Sequence, residues 1–88
     1  MEIYLSDEFT RQYKRLPQDV KKKLSKQQAL LCADIYHPSL HTEKLSPKDK
    51  GVWSFRIDLH YRVLFRFLKG DTIILLTVGT HAWVYHRI

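Results

Sequence analysis

A switch in the spacing of apolar residues midway along this chain limits the folds open to it. From Phe9 to about residue 35 they recur at helical intervals; from Trp53 onward they alternate. A 3.6-residue repeat places an apolar stripe on a helix, and a two-residue repeat places an apolar face on a strand. Helices followed by strands predict an α+β layer with helices on one face of a sheet. At 88 residues the chain is expected to form a single domain, residues 1–88, with an economical core.

Met1 to Ser6 alternates, Ile3 and Leu5 facing one way, and predicts a short first strand. Ser6 or Asp7 can cap a helix whose Phe9, Tyr13 and Leu16 form one stripe. Pro17 interrupts it and suits the first turn of a second helix. That helix runs to about residue 35, with Val20, Leu24, Leu31 and Ile35 on one face and Lys21, Lys22, Lys23 and Lys26 on the other. The two make a helical hairpin.

Periodicity stops between Tyr36 and Lys50, where Pro38, Pro47 and the following Gly51 mark a loop. Trp53, Phe55, Ile57 and Leu59 then alternate with Ser54, Arg56 and Asp58, which predicts a strand. Tyr61, Val63, Phe65 and Phe67 alternate with Arg62, Leu64, Arg66 and Leu68 in a second, and Lys69-Gly70-Asp71 suits the hairpin turn. Thr72 to Val78 reads as a central strand, Gly79-Thr80 as a break, and Trp83 to Ile88 as a short terminal strand. The expected order is strand, helix, helix, then three or four strands in a largely antiparallel sheet.

Fifteen Lys and Arg against nine Asp and Glu give a formal charge of +6, which points to an acidic partner: nucleic acid, an anionic membrane or an acidic protein. The lone Cys32 allows no internal disulfide and no C-x-x-C zinc site, and His37, His60 and His86 lack metal-ligand spacing. Neither a metal nor a cofactor is expected. The first residues lack the pattern of a secretory signal, and apolar runs such as Ile73 to Leu76 fall far short of the roughly 20 residues of a membrane span. A cytoplasmic location without membrane association is the expectation.

Helices on one face leave the other free for Arg56 and Asp58 on one strand and Arg62 and Arg66 on the next. The preceding loop offers His41, Glu43 and Lys44, and the C-terminal segment offers His81, Tyr85, His86 and Arg87. Cations for phosphate, aromatics for unpaired bases and acid–base groups are what RNA cleavage needs. Plainer readings exist for each: Glu43 solvated, Arg62 an exposed strand charge, His81 a turn cap, Tyr85 a core aromatic, Asp58 a structural partner of an arginine. The Lys21 to Lys26 group is either a wet helix face or a contact for ribosomal RNA.

The chain as a whole resembles the RelE/ParE superfamily of bacterial type II toxins. Phe9, Tyr13, Leu16 and Pro17 resemble the start of the family's hairpin; Glu43 to Leu45, Trp53 to Asp58 and Tyr61 to Phe65 resemble its core signature, with spacing similar to YoeB-type toxins. Val78 to Tyr85, V-G-T-H-x-x-x-Y, looks more like YafQ-type toxins. The resemblance implies a RelE-like fold and metal-independent, ribosome-dependent cleavage of mRNA through attack of a 2′-hydroxyl. It assigns Glu43 as base, Arg62 to the scissile phosphate, His81 as acid or base, and Tyr85 to substrate contact. Lys44 and Arg56 match basic positions of relatives more weakly, and Arg66 and Arg87 join them as phosphate contacts. It implies as partners a cognate acidic antitoxin, the 70S ribosome and mRNA. The chain lacks the terminal arginine-tyrosine-histidine-tyrosine pattern of YoeB-type toxins, which leaves the general acid open. The rival expectations are a ParE-type gyrase inhibitor without ribonuclease activity and a catalytically dead member that only binds antitoxin.

Overall fold

The computed structural model describes residues 1–45 and 51–86. Strand β1 (Glu2–Leu5) leads into helices α1 (Asp7–Lys14) and α2 (Gln18–Ala33). After a single 3₁₀ turn at Pro38–Leu40 come β2 (Glu43–Lys44), β3 (Trp53–Arg56), β4 (Tyr61–Leu68), β5 (Thr72–Thr80) and helix α3 (His81–Tyr85). The strands form one mixed sheet ordered β1-β5-β4-β3-β2, in which β1 and β5 run parallel and the other neighbours antiparallel.

The expected α+β layering is present. Phe9 of α1 and Val20, Leu24 and Leu31 of α2 are buried against Phe55, Val63, Phe65, Ile73, Leu75 and Val78 on one sheet face. Burial of each such side chain stabilises by about 1.5–3 kcal/mol. Ser6 caps α1: its Oγ accepts from the Phe9 amide at 3.0 Å and donates to the Leu76 carbonyl at 2.8 Å, which fixes the helix to β5. Beyond Leu75, no strand among the described residues pairs with β5 on its β1 side, and Gln12 serves that edge instead. Its Oε1 accepts from the Thr77 hydroxyl at 2.9 Å and the Val78 amide at 2.8 Å.

One polar residue occupies the apolar face of α2. Gln27 is buried and donates through Nε2 to the carbonyls of Arg56 (2.8 Å) and Ser39 (3.1 Å). The cost of burying an amide is thereby offset by hydrogen bonds, and α2 is tied to the end of β3.

Three expectations need correction. Strand β3 ends at Arg56, not Leu59, because the Asp58 carboxylate collects the amides of His60 (2.8 Å) and Tyr61 (2.9 Å) in a turn. The segment after β5 is a helix, not a strand, and Gly79-Thr80 does not break β5. Leu64 points to the face away from the hairpin, and α3 covers it by burying Val84 in a second small cluster with Leu45 and Val52. Trp83 folds back over Gly79, where a built Cβ would lie 2.4 Å from the indole, so only glycine leaves it room. Lastly, the expected loop contains the 3₁₀ turn and the edge strand β2. Pro47 and Lys50, and the end of the expected terminal strand, lie outside the described residues. Among the described residues no helix is long and apolar enough to cross a membrane.

Candidate active site

The register of β3 and β4 sets Arg56 opposite Arg62. Their neighbours Phe55 and Val63 enter the hairpin core, so alternation turns both arginines to the other face. The plainer reading of Arg62 as an exposed strand charge does not hold: the residue is only 9% exposed. Its Nη1 donates to three backbone carbonyls, of Asp58 (2.7 Å), Tyr61 (3.0 Å) and Leu59 (3.3 Å). Among the described residues, Nε of Arg56 is buried without a hydrogen-bond partner. Burial first, and the Arg56 charge second, push the Arg62 pKa down; Tyr85, Asp58 and Glu43 act against that shift. The guanidinium nonetheless stays charged at neutral pH.

The turn between β3 and β4 serves two of these residues at once. Besides holding Arg62, it supplies the His60 carbonyl that accepts from the His81 amide at 2.7 Å, at the start of α3. Asp58 pairs with Lys23 of α2 at 3.2 Å rather than with an arginine. Burial would raise the Asp58 pKa, but the His60 and Tyr61 amides and the Lys23 ammonium outweigh it, and the pKa falls below its ordinary value.

Glu43 reaches the same face from the edge of the sheet. His41, in a left-handed conformation with φ of 47°, turns the chain into β2, where Glu43 pairs with Ser54. Tyr85 donates from its hydroxyl to Glu43 Oε1 at 3.3 Å. One helical turn earlier, the His81 ring packs edge-on against Tyr85 with 4.5 Å between centroids. A cavity of about 730 Å³ opens beside the β3–β4 turn, with Tyr61, Arg62, Thr80 and His81 on its wall. Tyr85 and Glu43 do not line it but connect to its wall through the His81 ring. The four expected catalytic residues, Glu43, Arg62, His81 and Tyr85, and also Arg56, thus form one arc from the sheet edge to the cavity.

The other candidates divide. Lys44 pairs opposite Trp53, one position out of phase with Glu43, so it turns to the opposite face. Arg66 shares the face of Arg62 but lies four residues along β4 and is exposed. Arg87 lies outside the described residues. Lys21 donates to the Lys14 carbonyl and sits over the Tyr13 ring, Lys23 is engaged by Asp58, and Lys22 and Lys26 are exposed. Two features escaped the sequence. The His60 carbonyl has no side-chain signature, and the Lys23–Asp58 pair spans two elements whose packing no local pattern reveals. Among the described residues no group of three or more His, Cys, Asp or Glu side chains is placed to hold a metal ion.

A family model described as the ParE toxin of the parDE type II toxin–antitoxin system matches residues 3–85. This chain belongs to the ParE toxin family. The toxin's fold is also that of several solved structures. The YoeB/ParE toxin from Agrobacterium tumefaciens superposes with a TM-score of 0.75 over 92% of this chain and 99% of that one, at 18% identity. A chain of the E. coli DinJ–YafQ complex gives 0.72 over 96% and 97%, at 19%. A chain of the archaeal RelE–RelB complex from Pyrococcus horikoshii OT3 gives 0.73 over 90% and 92%, at 15%. No curated protein matches the sequence.

Proposed function

We propose that this toxin is an endoribonuclease that cuts mRNA on the ribosome. The observation that carries the reading is the Arg56–Arg62 pair. Like charges set directly opposite in a sheet repel, and a phosphate bound between them would convert that repulsion into attraction. Arg62, held through Nη1, keeps Nε and Nη2 as donors for two phosphate oxygens, the fork geometry that favours arginine at such sites.

In this reading Glu43 takes the proton of the ribose 2′-hydroxyl, and the freed oxygen bonds to the adjacent phosphorus. The bond from phosphorus to the 5′-oxygen breaks, and His81 gives a proton to that leaving oxygen. The products are a 2′,3′-cyclic phosphate and a 5′-hydroxyl. Arg62 and Arg56 stabilise the charge that builds on the phosphoryl oxygens. Tyr85 holds Glu43 in place and offers a ring to a base. The acid, the base and the cation are all side chains, so this route calls for neither metal nor cofactor.

The net charge of +6 suits ribosomal RNA as the docking surface and an acidic antitoxin as the neutralising partner, both in the cytoplasm. That two solved structures sharing this fold are of the DinJ–YafQ and RelE–RelB complexes supports a protein partner. The test uses ribosomes programmed with end-labelled mRNA. A single cut in the A-site codon that disappears in folded Arg62→Ala supports the reading, and no cut by folded wild-type toxin overturns it. The ParE family match favours a second reading, inhibition of DNA gyrase. Loss of supercoiling by purified gyrase with no RNA product would establish that one instead.

A further inference from the structure

The β3–β4 turn touches both Arg62 and His81 yet supplies no side chain to the proposed chemistry. Its shape depends on one carboxylate. Asp58 Oδ1 accepts from the amides of His60 and Tyr61, which curls the chain so that the carbonyls of Asp58, Leu59 and Tyr61 converge on Arg62 Nη1. The same curl presents the His60 carbonyl to the His81 amide. The other oxygen, Oδ2, faces Lys23 of α2 at 3.2 Å, so the turn is braced against the helical hairpin. We propose that Asp58 is a positioning residue: it builds the carbonyl cradle that aims the Arg62 guanidinium and anchors the helix start carrying His81.

Without Asp58 the two amides lose their acceptor and the turn relaxes. Arg62 remains in sequence but not in place, and His81 loses the carbonyl that fixes its backbone. A guanidinium misplaced by about 1 Å still binds phosphate, yet no longer matches the transition state; losses of about 10²-fold accompany such displacements. The role assigned here rests on the ribonuclease reading, because positioning has catalytic meaning only if Arg62 meets a phosphate.

The experiment compares Asp58→Ala, Asp58→Asn and Arg62→Ala with wild type, alone and combined, in cleavage of programmed ribosomes. Folding of each is checked by thermal melting. Asp58→Ala should lower kcat about 10²-fold with little change in KM. Asp58→Asn, whose amide oxygen still accepts from both backbone amides, should recover most of the loss. Adding Asp58→Ala to Arg62→Ala should cost little more than Arg62→Ala alone, because residues that act through one another are not additive. A loss under about threefold in folded Asp58→Ala, an Asn variant as poor as Ala, or full additivity with Arg62→Ala would each overturn the proposal. Should Asp58→Ala fail to fold, Asp58→Ser, a weaker acceptor at the same place, carries the comparison.

A second readout separates this idea from the function it rests on. The Arg62 guanidinium signals in nitrogen-15 NMR should be sharp and restricted in wild type and averaged in Asp58→Ala. If wild-type toxin cuts no RNA, the ribonuclease reading falls while the NMR arm still judges the cradle. Unchanged Arg62 signals in Asp58→Ala would overturn the cradle whatever the activity.

Discussion

Tyr85 and Glu43 meet across a 3.3 Å hydrogen bond, the phenol donating to the carboxylate. The contact joins the last helix to the outermost strand, and both groups are at least partly open to solvent. Tyr85→Phe should therefore leave the melting temperature nearly unchanged, since an open hydrogen bond contributes about 1 kcal/mol or less. Cleavage should fall by about tenfold or more if Glu43 must be held for proton transfer. Parallel melting and single-turnover measurements decide it, and an unaltered rate would remove Tyr85 from the site.

Arg62 is buried and satisfies three carbonyls, so its loss should be felt in stability as well as activity. Hydrogen bonds involving a charged group contribute about 1.5–3 kcal/mol each, and relief of the repulsion with Arg56 offsets part of their loss. Arg62→Ala should unfold at lower urea than wild type while remaining folded in buffer. An unchanged midpoint would show that the three bonds contribute nothing in solution.

Asp58 titrates below its ordinary value of 3.8 in the folded protein. A depressed carboxylate stabilises the fold at pH above the unfolded pKa, and that contribution is lost as pH falls through the folded one. The groups facing it are Lys23 from α2, the amides of His60 and Tyr61, and Arg62 through its link to the Asp58 backbone. Urea midpoints taken from about pH 6 down to pH 2 should decline less steeply in Asp58→Asn than in wild type. Parallel curves would mean that Asp58 does not carry the acid response.

At Gly79 the constraint is steric, because a Cβ would stand 2.4 Å from Trp83. Gly79→Ala should push α3 outward and with it His81 and Tyr85. Cleavage should suffer more than stability, since most of the core lies on the other sheet face. Trp83→Leu in the same protein should restore part of the rate. No rescue would show that α3 is not held through this contact.

Much of this architecture could be read from the residues in order. Phe55, Val63 and Phe65 alternate, and Val20, Leu24 and Leu31 keep helical spacing; all six are buried where those patterns put them. The features that escaped are those that local pattern does not encode. Helix α3 has five residues, too few to display a period, and was expected as a strand. Strand β2 has two residues and exists because β3 offers it an edge. Gln27 interrupts the apolar stripe of α2, and the carbonyls of Arg56 and Ser39 that accept from it explain its burial. Glu43, Arg62, His81 and Tyr85 came to notice through residue type and position, and the family resemblance gave them roles, whereas the reason Arg62 is buried lies in the turn before it.

The parallel pairing of β1 with β5 bears on how the chain comes to be folded. Glu2 to Leu5 align with Thr72 to Leu75, so the earliest strand waits for one of the latest. Contacts of such sequence separation slow folding, because the intervening chain must lose its freedom before they form. During synthesis β1 therefore has no partner until β5 has been made, and His81 and Tyr85 follow it immediately. The proposed catalytic arc is the last part of the described structure to be completed, so in the ribonuclease reading the site cannot assemble before β5 and α3 have both been made.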